Sequence, residues 1–285
     1  MKSVYYSLLH IIKNPWVSSV KGILLYFYWQ IKKRWGNYPM IINIEDDIKI
    51  ELLNPRIALE GGTKLYTQGL YDGNNMRMVD AYFAKWDEVF WDIGANLGLY
   101  SLVASRHGQA KVVSFEPHPM TYSLLNRQIQ LNLRANIKTV NIALSNENAK
   151  VLFSNVDGSS TNSILLEGVN TERSIEIESR RGEDLIVDGE TAPSVIKIDV
   201  EGFEWDVILG FGEQLKNVKI CIVEVSRNET EIYEYMKQSG FLGPFELDLI
   251  HKKYTSYKRG RSQEDPVWIH SKFANLIFRE LLNGE

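Results

Sequence analysis

Five short, predominantly apolar runs punctuate the middle of the chain: VFWDI at 89–93, VVSFE at 112–116, residues 137–142, SVIKIDV at 194–200 and ICIVEV at 220–225. Runs that barely alternate between apolar and polar suit strands covered on both faces. Helical stretches fill the gaps at 98–106, 119–133, 204–210 and 229–239. Such alternation demands right-handed crossovers and a mostly parallel sheet with helices on both sides. Residues 150–156 and 173–179 read as strands inserted before the fourth main strand. The late segment FANLIFRE reads as a strand that closes the sheet edge. The fold class is therefore α/β, a doubly wound sheet, and 285 residues suit one large domain with an appendage.

The appendage is N-terminal. Residues 1–44 hold six Lys/Arg and no Asp or Glu, which leaves the rest of the chain at net −10. An acidic body argues against a nucleic-acid binder, in which a basic face neutralises phosphates. The longest apolar run in the basic segment, Ile23–Trp29, is far short of the roughly 20 residues a bilayer span needs. No small-residue cleavage site follows it, so neither a membrane span nor a removable signal is expected.

Asn14-Pro15 instead marks a helix start. Val17, Val20, Leu24, Phe27, Tyr28 and Ile31 then recur at three- and four-residue spacing on one face. Trp16, Trp29, Trp35 and the Lys32-Lys33-Arg34 cluster are the equipment of an interfacial helix. Residues 14–35 thus either pack on the catalytic body or on a second copy of the chain, or make peripheral membrane contact. The single Cys221 excludes an intrachain disulfide and suits a reducing compartment, so a cytoplasmic protein is expected, peripheral on the inner membrane face if that contact is made.

After this 1–39 segment the period shifts towards two, in MIINIEDDIKIEL and TKLYTQGL. Turn residues Asn54-Pro55, Gly61-Gly62 and Asp72-Gly73-Asn74-Asn75 divide the pieces, so 40–75 reads as a small β-meander. A helix over Met76–Lys85 opens the main domain, 76–285.

Between the first main strand and its helix lies Asp92-Ile93-Gly94-Ala95-Asn96-Leu97-Gly98, and Glu116 ends the next strand. Ligands of such sheets bind at the carboxyl ends of the strands. A carboxylate about 20 residues past the first glycine can accept hydrogen bonds from a ribose. The loop is wrong for pyrophosphate: Asp92 precedes the first glycine, Asn96 replaces the second, and no Lys follows as in a P-loop. An acid here repels phosphate and suits a cationic ammonium or sulfonium, which points to S-adenosylmethionine.

The segments VFWDIGANLGLYSLVAS, VVSFEPHPMTYSLLNRQIQLN, NIALS and above all IKIDVEGFEWDVILG with IVEVS resemble the FkbM family of class I S-adenosylmethionine-dependent methyltransferases, over about 60–240. The resemblance implies a Rossmann-like seven-stranded sheet and methyl transfer, usually to a hydroxyl of a sugar, glycolipid or natural product. By match, Asp92, Gly94, Ala95, Asn96 and Gly98 line the methionine end of the cofactor, Glu116 with Pro117 holds the ribose, and Asn141–Ser145, including Ala143 and Ser145, lies near adenine. Asp199 would border the cofactor as well.

Asp199 and Glu201 stand two apart at a strand end, and share a face if the strand persists. Methyl transfer needs an acceptor lone pair held in line with the sulfonium, and a hydroxyl acceptor must shed its proton. Asp199 is the candidate base or orienter, with Glu201 and Glu224 in support. Glu204 is read as a stabilising acid of the following helix. Clustered acids can also hold Mg²⁺, whereas the five His residues show no zinc spacing and no metal ligand is assigned. His118 reads as a loop residue stiffened by two prolines, and Gly158–Ser163 as a polar lid or an ordinary turn. The acceptor pocket is expected from 145–185 and 241–270.

Two other readings compete. Tyr233 and Lys237 have the Tyr-x-x-x-Lys spacing of an NAD-dependent sugar or alcohol dehydrogenase, but Ile220 and Cys221 stand where that family places its Ser. A non-catalytic scaffold with a cofactor fold has no need of Asp92, Glu116 and Asp199 together.

Overall fold

A computed structural model describes residues 2–45, 47–53, 62–155, 162–165, 174–260, 262 and 264–283. The expected turns at Asn54-Pro55 and Gly61, and most of the polar segment Gly158–Ser163, lie outside the described residues. Asn14 splits the N-terminal segment into two helices, α1 (Lys2–Lys13) and α2 (Ser19–Trp35). A single helix from Asn14-Pro15 does not form. The Asn14 side chain accepts from Trp16 N at 2.8 Å and donates to buried Gln68 at 3.0 Å, fixing a turn where the helix was expected to begin. Gly22 lets the two helices cross closely, since a Cβ there would stand 2.4 Å from Ile11.

Strands β1 (Met40–Glu45) and β2 (Ile48–Leu52) form an antiparallel hairpin, and the chain then enters α3 (Gly62–Gln68) and α4 (Gly73–Phe83). The expected meander is thus a hairpin and a helix. TKLYTQGL becomes helical because that conformation buries Leu65 and stacks Tyr66 on Trp29 of α2, ring centroids 4.7 Å apart. Thr63 accepts from the Trp29 indole at 3.1 Å.

The Rossmann-like body follows: β3 (Val89–Ile93), α5 (Leu99–Ala104), β4 (Lys111–Phe115), α6 (Pro119–Leu131) and β5 (Ile137–Val140). A small separate sheet of β6 (Ala143–Leu144), β7 (Ala149–Ser154) and β8 (Ser174–Arg180) comes next, then α7 (Gly182–Val187). The chain returns through β9 (Val195–Ile198), α8 (Glu204–Gly210), β10 (Ile220–Val223) and α9 (Glu229–Gln238). It finishes with β11 (Phe241–Asp248), β12 (Lys253–Ser256), β13 (Val267–His270) and α10 (Ser271–Phe278).

The main sheet runs β12-β11-β13-β10-β9-β3-β4-β5, parallel from β5 to β10 and antiparallel beyond. It contains the expected seven strands and one more, because the chain doubles back after β11 to add β12 at the edge. FANLIFRE is not the closing strand. Ala274 and Ile277 bury one helical face of α10, and the His270 ring caps its start by accepting from Lys272 N at 3.2 Å. The late strand is VWIH, inserted between β10 and β11.

The hairpin seals against the body through side-chain amides. Gln128 of α6 and Asn132, which caps that helix, each exchange two hydrogen bonds, of 2.7–3.0 Å, with the backbone of Glu51 and Lys49 respectively along β2. An otherwise open sheet edge is thereby satisfied. Arg106 reaches Glu45, Asp47 and Asp80 at 2.7–3.0 Å, tying the hairpin to α4 as well.

Trp29 is fully buried between α2 and α3, so Trp29→Ala should cost about 3–5 kcal/mol in denaturant titration. A loss under about 1 kcal/mol would mean that α2 is held elsewhere.

Candidate active site

Strand order reverses between the parallel neighbours β3 and β9: β4 and β5 are added on one side of β3, β9 and β10 on the other, and crevices at such points receive ligands. Hydrogen bonding continues past the strand ends: Gly94 and Ala95 donate to Phe115 O, Glu116 to Val140 O, Asp199 to Ile93 O and Glu224 to Ile198 O, all within 2.9–3.1 Å. The backbone ladder therefore sets four candidate segments side by side at one end of the sheet. Gly94, at φ +80°, is where two of them touch, because a Cβ there would stand 1.8 Å from Asp199 O.

These segments wall a cavity of about 470 Å³, in the range that holds a small-molecule ligand. Asp92, Gly94, Ala95, Asn96, Glu116, Pro117, Ala143, Asp199, Glu201 and Glu224 all line it. Gly98 and Ser145 do not. Gly98 instead admits Leu125, which a Cβ would meet at 2.4 Å, and Ser145 N pairs with Arg180 O between β6 and β8. Tyr233 and Lys237 are also absent from the wall; Tyr233 lies on α9, edge-on to the Trp268 ring at 5.6 Å.

At one end, Glu116 accepts from Asn96 N and from His118 N, each at 3.0 Å. Burial nevertheless pushes its carboxyl up to about 7. Asp92 is buried too and is pushed up to about 6, tempered by hydrogen bonds from Ser101. Asn96 lines the cavity, and its side-chain oxygen is buried without a hydrogen-bond partner, an acceptor left unused by the protein. His118 caps α6 through Nδ1, bonds Asn155 through Nε2 at 2.9 Å and also lines the cavity.

At the other end, Asp199, Glu201 and Glu224 bring carboxylate oxygens within 4.8 Å of one another. The strand pleat is not the cause, since β9 stops at Ile198. Glu201 adopts φ +53° and Gly202 φ +104°, and this left-handed turn swings Glu201 back towards Asp199. Glu204 accepts from Gly202 N at 2.7 Å and braces the turn, outside the cavity wall.

Three acids so close cannot all ionise unaided. Lys197, only 2% exposed, stands 3.4 Å from Asp199 and 2.9 Å from Asp265. Burial alone would raise Asp199, but the Lys197 cation overrides it and holds Asp199 below the usual carboxylate range. Glu224 shares a hydrogen bond with Asp199, which with burial pushes its carboxyl up to about 9. At neutral pH the pair is one carboxylate and one carboxylic acid, with Lys197 as counter-ion.

Lys197 is the main residue that the motif reading passed over. A lysine inside SVIKIDV, two before Asp199 and so on the same strand face, was the available signal. Its other partners depend on the fold. Tyr100 presents its ring 5.6 Å from Lys197 and donates its hydroxyl to buried Asp72. Glu264 accepts from Asn74 N and Asn75 N at 2.8 and 2.7 Å, which pins Asp265 beside Lys197. The cavity wall includes Asn162, Ile164, Glu264 and Asp265 from the two regions expected to supply an acceptor pocket. It also includes His10, Asn14, Trp16 and Lys64 from the N-terminal part, which was not foreseen.

The Methyltransferase FkbM domain matches residues 92–242, just over half of the chain. The chain belongs to the FkbM methyltransferase family. It is 32% identical over 145 residues to the hexuronic acid methyltransferase AglP of Haloferax volcanii, a match spanning 50% of this chain and 57% of that protein. The match thus covers little more than half of that relative's length. To the methyltransferase sdnD of Sordaria araneosa it is 29% identical over 186 residues, 53% of this chain and 72% of that one. Solved structures are more distant: TYW2 of M. jannaschii, in complex with AdoMet, is 13% identical, with a TM-score of 0.42 over 82% of this chain and 86% of that one.

Two pH profiles of turnover test the charge arrangement. Activity should hold through neutral pH and fall above about pH 9 as Glu224 loses its proton and sets a second charge beside Asp199; Glu224→Gln should abolish that alkaline limb. Because Lys197 depresses Asp199, Lys197→Met should move the acid limb to higher pH and Lys197→Arg should move it back. An unmoved acid limb in Lys197→Met would remove Lys197 from the mechanism.

Proposed function

We propose that this protein is an S-adenosylmethionine-dependent O-methyltransferase acting on a hydroxyl of a sugar, as a free glycan or a glycolipid. The observation that carries the reading is the acid-lined cavity at the reversal point of the sheet, in a chain of the FkbM family. The hexuronic acid methyltransferase relative supports a sugar acceptor.

The residues present fit the cofactor. Glu116 and Asn96 offer acceptors for ribose hydroxyls or an amine, and Gly94 and Ala95 line the cavity with little side-chain bulk. Asp92 and Asp199 surround the cavity with negative charge that favours a cation and disfavours a pyrophosphate. When bound, S-adenosylmethionine supplies a methyl group activated on a sulfonium.

Asp199 orients the acceptor hydroxyl and takes its proton as the oxygen–methyl bond forms and the sulfur–methyl bond breaks. Glu224, protonated, hydrogen-bonds Asp199 and fixes the direction in which that carboxylate points. Lys197 keeps Asp199 ionised and so able to receive the proton. Pre-set charges of this kind need no rearrangement during the reaction. Tyr100 and Phe203 add aromatic faces to the cavity wall.

Isothermal titration should show S-adenosylhomocysteine binding, and Glu116→Ala should weaken it at least about tenfold, the worth of one good hydrogen-bonding carboxylate. Asp199→Asn should retain that binding while turnover falls about 10²–10⁴-fold. Binding of NAD in place of S-adenosylhomocysteine would favour the dehydrogenase reading. Binding of neither would favour a scaffold.

A further inference from the structure

The two faces of α2 have different fates. Gly22, Tyr26 and Trp29 are buried against α1 and α3. Val20, Leu24, Phe27, Tyr28, Ile31 and Trp35 lie along the opposite face and are 55–78% exposed. Their spacing of three and four residues makes one continuous stripe about four turns long. Scattered exposed apolar residues are ordinary; six in register on one helix are an interaction surface.

Charge identifies the occupant. Lys21, Lys32, Lys33 and Arg34 stand on the same helix, and no Asp or Glu occurs anywhere in residues 1–44. A helix with apolar residues along its exposed face and only positive charges of its own complements a layer that is apolar within and anionic outside. A second copy of the chain fits less well, because two such stripes facing each other would bring cations together without a counter-charge. No helix of the described residues is long and apolar enough to cross a membrane, so a helix of this kind lies in the interface plane.

The same stretch of chain also builds the cavity. Asn14, Pro15 and Trp16, in the turn between α1 and α2, line it together with His10. Trp16 is wedged against Gly73, where a Cβ would stand 2.4 Å from the ring, and the Arg77 guanidinium lies over that ring at 4.4 Å. A residue of the cavity wall thus stands three residues before the first turn of the exposed helix.

We propose that the exposed face of α2 docks onto an anionic lipid bilayer, and that docking holds the Asn14–Trp16 wall of the cavity near the lipid surface. Resting on the methyl-transfer reading above, this selects the glycolipid class of acceptor: a sugar hydroxyl borne on a membrane lipid, presented where the cavity is.

Flotation of the full-length protein tests the docking. Wild type should rise with vesicles rich in phosphatidylglycerol and stay at the bottom with phosphatidylcholine alone. Phe27→Glu combined with Ile31→Glu should abolish flotation. Lys32→Gln, Lys33→Gln and Arg34→Gln together should weaken vesicle affinity roughly a hundredfold. Brominated lipid should quench part of the tryptophan fluorescence, and Trp35→Phe should remove that part. All variants should retain S-adenosylhomocysteine binding, since none of these side chains lines the cavity.

Wild type that fails to float, or stripe variants that float normally, would overturn the proposal. So would a wild-type dimer in solution that Phe27→Glu with Ile31→Glu converts to monomer. Failure of S-adenosylhomocysteine binding beside normal flotation would instead overturn the methyltransferase reading and leave the docking surface standing.

Discussion

One buried lysine sets the electrostatics of the cavity. The ends of β9 and β10, the segment before α4 and the loop before β13 deliver Asp199, Glu224, Asp72 and Asp265 to one small volume, and Lys197 is placed among them. Burial by itself would strip a lysine of its proton, yet the surrounding acids hold Lys197 charged well above its ordinary range. The dependence is mutual. Burying one charge without the other is costly, so lysine and acids persist only together. The price is met by a site in which one carboxylate is kept ionised and its neighbour kept protonated without any outside help.

Backbone geometry makes that arrangement precise enough to use. The ladder bonds that run one residue past β3, β4, β9 and β10 align the chain before any side chain is chosen. Gly94 is the point of closest approach, and the left-handed pair Glu201-Gly202 turns the chain at once. Both features place strain or bare backbone beside the acids, where rigid positioning serves chemistry best.

How much of this was legible in the sequence depended on the range of the interaction. Strands β3, β4, β9 and β10, with the helices after them, could be read because fully covered strands leave a dense apolar signature. The acids were legible because they sit immediately past those strands. The convergence of Asp199 and Glu201 was read for the wrong reason: a persisting strand was expected, and a left-handed turn performs the task. TKLYTQGL and FANLIFRE were misread because eight residues are too few to separate a period of two from one of 3.6. Stacking on Trp29 decided the first, and burial of Ala274 and Ile277 the second. Asp72 and Asp265 carry no local signal, since they are 193 positions apart and meet only through α4 and Glu264.

The charge of the molecule is segregated, and the segregation has a consequence. The cavity is ringed by acids while the N-terminal helices carry only cations. At physiological ionic strength exposed charges are screened over about 8 Å, so each group acts mainly on what lies close to it. An anionic headgroup is drawn to α2 and repelled from the acids at the strand ends, whereas a sulfonium or ammonium is drawn the opposite way. Lys64, at the cavity wall, belongs with the N-terminal cations in space and helps to depress Asp199, so the border between the fields runs through the cavity itself.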